Sequence, residues 1–468
     1  MRKLTIEYVA ERTGGTLYAK AAGGENPISA VAIDSRNTGE GTLFFCIIGA
    51  RSDAHTFLED VRKAGCRNVV VSDRDWAERM KEHGDMNVVL AEDTTSALMR
   101  LARCYMDEWK GLKKVAVTGS VGKTSTKEFL YSVLSSRYKT GRTPGNLNSA
   151  WGIPLTVFSF DEDIEAAVIE IGLGYGPDMA ELVDIVKPDA AVVTTIGSSH
   201  MEVFGSQDKL IDAKLRITTG FGKDNVLIAC EDCGYLTKGS IREHTDGDFS
   251  IVSIGEAENA DYRLSDVRDM GVDGVCCTLS CKGRSAKLEL PVIGRHNLAN
   301  AALAVAAGET LGIDMEEGCR SLMNTVFAAN RLDILRNESF TVVNDTYNAS
   351  PESMKAGIDV VMRSVARRRV AVLGDMGELG DRSPAMHREV GEYAAKEGID
   401  LLVTIGTRTL ETREGYLSGG GRKAASFESR QEAIEMLPNL LEAGDVILVK
   451  ASRAMGLEEV SHAIIDSM

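Results

Sequence analysis

Residues 115–125 read Val115-Ala116-Val117-Thr118-Gly119-Ser120-Val121-Gly122-Lys123-Thr124-Ser125. A β-branched run enters a Gly/Ser turn, and a helical pattern follows from Thr126. Strand, tight loop, helix is the order a phosphate-binding loop requires. Gly119 and Gly122 let the backbone turn its N–H groups inward around an anion. The helix start adds free donors and the positive end of its dipole. Lys123 supplies charge against phosphate, and the Thr124 hydroxyl suits Mg²⁺. The usual pattern opens with glycine where this chain has Val117, so this is a shortened form, TGSxGKT. A Gly-rich turn with an incidental lysine is the plain alternative, and the strand–loop–helix setting argues against it.

At 468 residues the chain exceeds one ordinary core, and roughly two to four domains are expected. With 44% hydrophobic and 26% charged residues it has the make-up of a globular protein. A net charge of −16 argues against a nucleic-acid-coating surface, though a local basic pocket could still take an anion. The opening MRKLTIEYVAERTGG has no apolar core of signal-peptide length. No run approaches the ~18 apolar residues of a membrane span, so a cytoplasmic protein is expected. The nine cysteines are scattered, which suits reduced thiols. Cys230 and Cys233 form a CxxC, but Cys276 and Cys277 are adjacent in an apparent strand and must face opposite ways, which weakens a zinc reading.

Residues 1–90 read as a small α/β domain, with a helix from Leu4 to Thr13 and strands at 30–33, 41–47 and 69–71. Ser35-Arg36 follows one of those strands, where α/β folds bind ligands, although on its own the pair reads better as a solvated turn. A helix from Thr94 to about Trp109 reads as the connector into a central domain, 91–326. There Val168-Ile169-Glu170 is a strand ending in a carboxylate, a common support for Mg²⁺ beside a phosphate loop. Strand 190–196 ends in Gly197-Ser198-Ser199-His200, placing a histidine at the same sheet edge. Lys214 lies on the next helix and looks like an ordinary surface lysine. From 226 to 290 the pattern changes character, with antiparallel strands expected at Tyr262–Val267, Gly274–Ser280 and Ala286–Leu290. Strands at 340–343, 370–373, 401–405 and 446–449 alternate with helices in a third, Rossmann-like domain, 327–468. The fold class is therefore α/β: a central P-loop parallel sheet flanked by a small N-terminal and a Rossmann-like C-terminal domain. These features suggest a Mg²⁺–nucleotide enzyme without naming its reaction.

Over nearly its full length the chain resembles the Mur ligase family. The resemblance rests on TGSVGKTS (118–125), TPGNLNSAWGIP (143–154), VIEIG (168–172), GSSHMEVFGS (197–206), GRHNLANA (294–301), NRLDIL (330–335), NDTYNASPESM (344–354), VLGDMGELG (372–380) and VKASRAMGLEEV (449–460). DAHTF (53–57), with GNLN, DTYNASP, GDMGELG and VKASR, resembles the branch that adds D-alanyl-D-alanine to UDP-N-acetylmuramoyl-tripeptide in peptidoglycan precursor synthesis. The DNPR and GKGHE stretches of the sister ligase that adds the third residue do not occur.

The resemblance implies that ATP activates the tripeptide carboxylate as an acyl phosphate, which the dipeptide amine attacks. It implies catalytic roles for Lys123, His200 and Lys214, and nucleotide contacts from Gly119, Ser120, Val121, Gly122, Lys123, Thr124, Ser125, Asn297, Arg331 and Asp345. Thr124, Glu170, His200 and Lys214 would serve Mg²⁺, Lys214 as a carbamate. Arg216 stands where the family usually has an acid, which bears on that carbamate's surroundings. Ser35, Arg36 and the 49–57 loop with His55 would hold the UDP end; Asn146 and Asn148 would face the sugar or diphosphate. Tyr347, Asn348 and Ser350 would meet the dipeptide. A monomer whose C-terminal domain closes on ATP is expected. Two other readings stay open: a Mur-type ligase adding diaminopimelate or lysine, and a nucleotide-binding partner protein without catalysis.

Overall fold

The computed structural model describes all residues except 23–25, 51, 174–177, 197–205, 327–332, 378 and 468. The chain divides into two compact units. The first comprises Met1–Arg263, Ser280–Arg284 and Ala299–Leu322; the second comprises Leu264–Leu279, Ser285–Leu298 and Met323–Met468.

The first unit holds two sheets. Strands β1 (Thr16–Ala19), β2 (Ala30–Ala32), β3 (Thr42–Phe45), β4 (Asn68–Val71) and β5 (Asn87–Leu90) pair in the order β1-β5-β4-β3-β2. Only β1 runs antiparallel to its neighbour among these pairings. The second sheet is built on β6 (Lys113–Thr118), β7 (Thr140–Arg142), β8 (Ala166–Glu170), β9 (Ala190–Val193), β10 (Val226–Cys230) and β11 (Ser250–Gly255). They pair in parallel in the order β11-β10-β9-β6-β8-β7. The chain goes to one side of β6 for β8 and to the other for β9, so the order reverses at the end of β6. That reversal opens a crevice at the carboxyl ends of the strands, the usual ligand position in open α/β sheets.

A boundary at residue 90 falls at the end of β5, but the hydrophobic core runs through it. Val9, Phe45, Val89, Leu98, Leu101 and Tyr105 join Ala116, Ile153, Ile169 and Val193 in one cluster. The helix Thr94–Asp107 is capped by the Asp93 carboxylate on Ser96 N–H, and it buries Leu98, Leu101 and Tyr105. Tyr105 meets Phe158 edge-on at 5.3 Å. The expected connector is thus a core element. Truncating one of its buried leucines to alanine should cost about 2–5 kcal/mol.

The expected change of character at 226 comes later. β10 and β11 continue the parallel sheet, and burial of β10 on both faces explains its unbroken apolar run. β12 (Tyr262–Asp269) starts parallel to β11 at Tyr262 and passes into the second unit at Leu264. β13 (Val275–Cys281) alternates buried and half-buried residues, so Cys276 and Cys277 face opposite ways as their adjacency requires. β14 (Arg284–Leu290) follows it.

The second unit carries β15 (Asp333–Arg336), β16 (Phe340–Asp345), β17 (Arg368–Gly374), β18 (Leu401–Ile405), β19 (Ala424–Phe427) and β20 (Asp445–Lys450). Their order is β15-β16-β20-β17-β18-β19, parallel except for the edge strand β15. Helices cover both faces over two clusters, one around Val343, Met354, Ile358 and Leu373, the other around Val342, Val372, Val403 and Leu457. The turn Gly271–Asp273 also belongs here. Val272 N–H donates to Ser364 Oγ at 3.1 Å, and Arg336 donates to Val272 O and to Asp273 at 2.8 Å.

Candidate active site

The loop after β6 is shaped by its two glycines. Gly119 has φ 148°, and a Cβ there would lie 2.0 Å from Thr194 Oγ1. Gly122 has φ 86°, and a Cβ would lie 2.6 Å from Asn300 Oδ1. Both positions need glycine for conformation and for space. The residues after β9 form the loop's wall. Ser120 N–H donates to Thr195 O at 2.8 Å, and Thr194 Oγ1 donates to Val121 O. The helix Lys123–Ser135 starts directly at the loop, with Gly122 as its cap and no side chain capping its first N–H groups. Those donors, with Thr124 in the first turn, face where a phosphate would lie in such a loop.

Two lysines converge on one backbone carbonyl. Lys123 Nζ donates to Gly119 O at 2.8 Å and to Ser120 O at 3.2 Å. Lys214 Nζ donates to the same Gly119 O at 3.0 Å. Lys214 is not a surface residue: it is 1% exposed on the helix Gln207–Leu215. Burial first, then the nearby Lys123 charge, pulls its ammonium down to about 7. Arg216 is half-exposed and pairs with Asp178, the cap of the helix Met179–Val186. The departure at that position is therefore taken up by a surface ion pair.

Glu170, at the end of β8, is 2% exposed. Its Oε1 accepts from Asn148 Nδ2 at 2.8 Å, and its N–H donates to Thr143 Oγ1 at 2.9 Å. Its Oε2 is buried with no hydrogen-bond partner among the described residues. A buried carboxylate oxygen that accepts no hydrogen bond, with the Lys127 ammonium 3.9 Å away, fits a hard cation, which takes oxygen ligands. No cluster of three His, Cys, Asp or Glu occurs among the described residues. His200 and Arg331 lie outside the described residues.

The loop 143–148 is held by a residue that sequence reading missed. Lys127, one turn beyond Lys123, is 1% exposed and donates to Thr143 O at 3.0 Å and Gly145 O at 3.1 Å. It follows two lysine-rich motif residues on a helix that begins at the phosphate loop, and that placement was its only sequence signal. Asn300 and Thr194, beside the two glycines, were likewise unremarkable in sequence.

The remaining candidates divide by exposure. Ser35 and Arg36 lie on a short turn capped by Asp34, whose carboxylate accepts from Arg36 N–H and Nε. That contact holds Asp34 down at about 2, while the Arg36 side chain stays 86% exposed. His55 is fully buried: Nδ1 lies 2.6 Å from Asp53 Oδ1 and Nε2 accepts from Ser72 N–H at 3.1 Å. Both ring nitrogens are engaged in shaping the 47–57 loop. Asn146 O accepts from Asn148 N–H at 2.8 Å, which turns the loop back toward Glu170.

In the second unit, Asn297 is buried and donates to Ile293 O at 2.8 Å. Asp345 pairs with Lys450, 2% exposed at the end of β20, at 2.5 Å. Lys450 also donates to Asn348 O at 2.9 Å. Ser350 caps the helix Pro351–Arg363 in a reciprocal pair with Ser353, so its hydroxyl has a structural duty. The Arg453 guanidinium lies 5.7 Å from the Tyr347 ring centre. No helix among the described residues is long and apolar enough to cross a membrane.

Comparison with known proteins places the chain in a family. The family profile described as Mur ligase middle domain matches residues 117–308, and that described as Mur ligase, glutamate ligase domain, matches 330–453. The chain is 35% identical to UDP-N-acetylmuramoyl-tripeptide--D-alanyl-D-alanine ligase of Bacillus subtilis, covering 100% of this chain and 99% of that one. A crystal structure of MurF from Acinetobacter baumannii superposes with a TM-score of 0.90 at 28% identity, covering 100% and 99%. The MurF ligase of Thermotoga maritima in complex with ADP gives 0.76 at 26%, covering 93% and 97%.

Proposed function

The chain belongs to the Mur ligase family, and we propose that it joins D-alanyl-D-alanine to UDP-N-acetylmuramoyl-tripeptide at the expense of ATP. The observation that carries the catalytic part is the convergence of Lys123 and buried Lys214 on Gly119 O, at the mouth of a phosphate loop. The choice of substrates rests on the full-length likeness to the Bacillus subtilis ligase.

The chemistry must bring an anionic carboxylate to an anionic γ-phosphate. The carboxylate oxygen attacks phosphorus, the bond to ADP breaks, and an acyl phosphate forms. The dipeptide amine then adds to the acyl carbon, loses a proton, and the intermediate expels inorganic phosphate as the amide forms. Lys123 and the open N–H groups of its helix offset charge on the transferring phosphoryl group. Thr124, Glu170 and a carbamate on Lys214 would hold Mg²⁺, with His200 added from the family pattern. The metal would screen the two anions from each other. A carbamate forms when a neutral amine adds to CO₂ and releases a proton, and a lysine whose amine titrates near 7 suits that addition. Ser35, Arg36 and the 49–57 loop would take the UDP end, and Asn146 and Asn148 the sugar side. The nucleotide would be completed by Asn297, Arg331 and Asp345, and the dipeptide by Tyr347 and Asn348. We place the reaction in the cytoplasm and expect a monomer.

The test is phosphate release from ATP with both substrates present. Release that requires UDP-tripeptide and D-Ala-D-Ala together, and that fails with diaminopimelate or lysine in place of the dipeptide, is the expected result. Release with either amino acid on the UDP precursor one residue shorter, which lacks the third residue, would move the protein to a sister activity, and none with any of these substrates would leave a nucleotide-binding protein.

A further inference from the structure

We propose that Lys127 is a positioning residue that ties the phosphate-loop helix to the 143–148 loop and, through it, aims Glu170; this rests on the ligase reading above. Lys127 has three donor positions and three oxygens within reach: Thr143 O at 3.0 Å, Gly145 O at 3.1 Å and Glu128 Oε1 at 3.2 Å. Glu128 is itself buried and pairs on its other oxygen with Arg142. The ammonium is thus fully committed, and it bridges two segments 16 and 18 residues apart in sequence.

Those two segments are the ones that must act together. Lys127 lies on the helix that carries Lys123 and Thr124. The carbonyls it grips belong to the loop whose Thr143 side chain accepts from Glu170 N–H, and whose Asn148 donates to Glu170 Oε1. Glu170 Oε2 is buried and accepts no hydrogen bond among the described residues, and it lies 3.9 Å from Lys127 Nζ, an ion pair without hydrogen-bond contact. Gly172, just beyond, also closes on this loop: its N–H donates to Asn148 O at 2.8 Å. A carboxylate with one oxygen hydrogen-bonded and the other facing the Lys127 ammonium is aimed, and what fixes it is a loop whose own position depends on Lys127. Without the lysine, Thr143 O and Gly145 O lose a shared donor, Thr143 in a fully buried position, and the loop must rearrange.

The experiment compares Lys127→Met, Lys127→Arg and Asn148→Ala with the wild-type full-length chain. Amide hydrogen exchange is read without substrates, and steady-state phosphate release with them. The expected result for Lys127→Met is faster exchange confined to 143–150. Its kcat should fall at least thirtyfold and the Mg²⁺ requirement shift upward, with ATP binding within twofold. Lys127→Arg, which can still reach two carbonyls, should recover part of kcat; Asn148→Ala should repeat the kcat loss with Lys127 intact. Should Lys127→Met not fold, Lys127→Arg and Asn148→Ala decide by the same readouts. Unchanged exchange at 143–150, or exchange raised evenly over the chain with kcat per folded molecule unchanged, would overturn the proposal. The exchange readout needs no substrate, so it stands or falls separately from the ligase assignment.

Discussion

Lys123 and Lys214, 91 positions apart, donate to one acceptor, the carbonyl oxygen of Gly119, at 2.8 and 3.0 Å. Burial first, and then repulsion from the Lys123 ammonium on the same oxygen, pulls the Lys214 ammonium down to about 7. Lowering the amine's pKa favours its neutral form. At pH 6 about one-tenth of it is neutral and at pH 8 about nine-tenths. With dissolved ¹³CO₂ held constant, the carbamate signal in ¹³C NMR should therefore grow from pH 6 to pH 8 and be absent in Lys214→Arg. The same variant should lose about a hundredfold or more in kcat. A signal that stays flat with pH, or persists in the variant, would place the carbamate elsewhere.

Gly119→Ala sets a methyl group against Thr194 Oγ1 in a backbone conformation at positive φ. The expected cost is about 1–3 kcal/mol in stability, read as a lower urea midpoint, together with weaker ATP binding. Thr194→Ala in the same chain should relieve part of the loss, because it removes the atom the methyl group meets.

Arg36 is held by Asp34 yet exposed, so it can serve substrate without serving the fold. Arg36→Ala should leave the unfolding midpoint unchanged from wild type, as exposed pairs contribute little to stability. It should raise KM for the UDP substrate about tenfold with kcat unchanged, the mark of uniform binding. A fall in kcat alone would contradict that role.

His55 is the opposite case. Its ring is buried between Asp53 and Ser72 N–H. His55→Ala opens a cavity and leaves that N–H without its acceptor, and should cost about 2–4 kcal/mol by chemical denaturation. At a temperature where the variant is folded, kcat should stay close to wild type. A large kcat loss in a fully folded variant would return His55 to the substrate.

Local features of the chain were readable because they rest on short-range rules. A β-branched run before Gly119, a helix pattern after Gly122 and apolar runs ending in Glu170 each announce an element within a few residues. The alternation of strands and helices from 340 onward announced a parallel sheet in the same way, and β16, β17, β18 and β20 are there. β1, β7 and β19 are four residues or fewer and half-exposed, so their patterns were too short to stand out. β10 and β11 lie in a stretch where no strand is read from the sequence, because an apolar run does not state its partner or direction.

The sequence by itself determined the α/β class, the phosphate loop and, through the order of its motifs, the family. Only the tertiary structure decided what each charged side chain does. Lys214 and Lys127 look like solvated helix lysines in sequence, and both are 1% exposed. His55 looks like part of a binding loop and is sealed inside it. The physical reason is that charge acts through space. Whether a lysine is an ordinary ammonium, an amine near neutrality or a tie between two loops depends on which carbonyls and charges the fold brings within about 3–4 Å, across separations that no local pattern encodes.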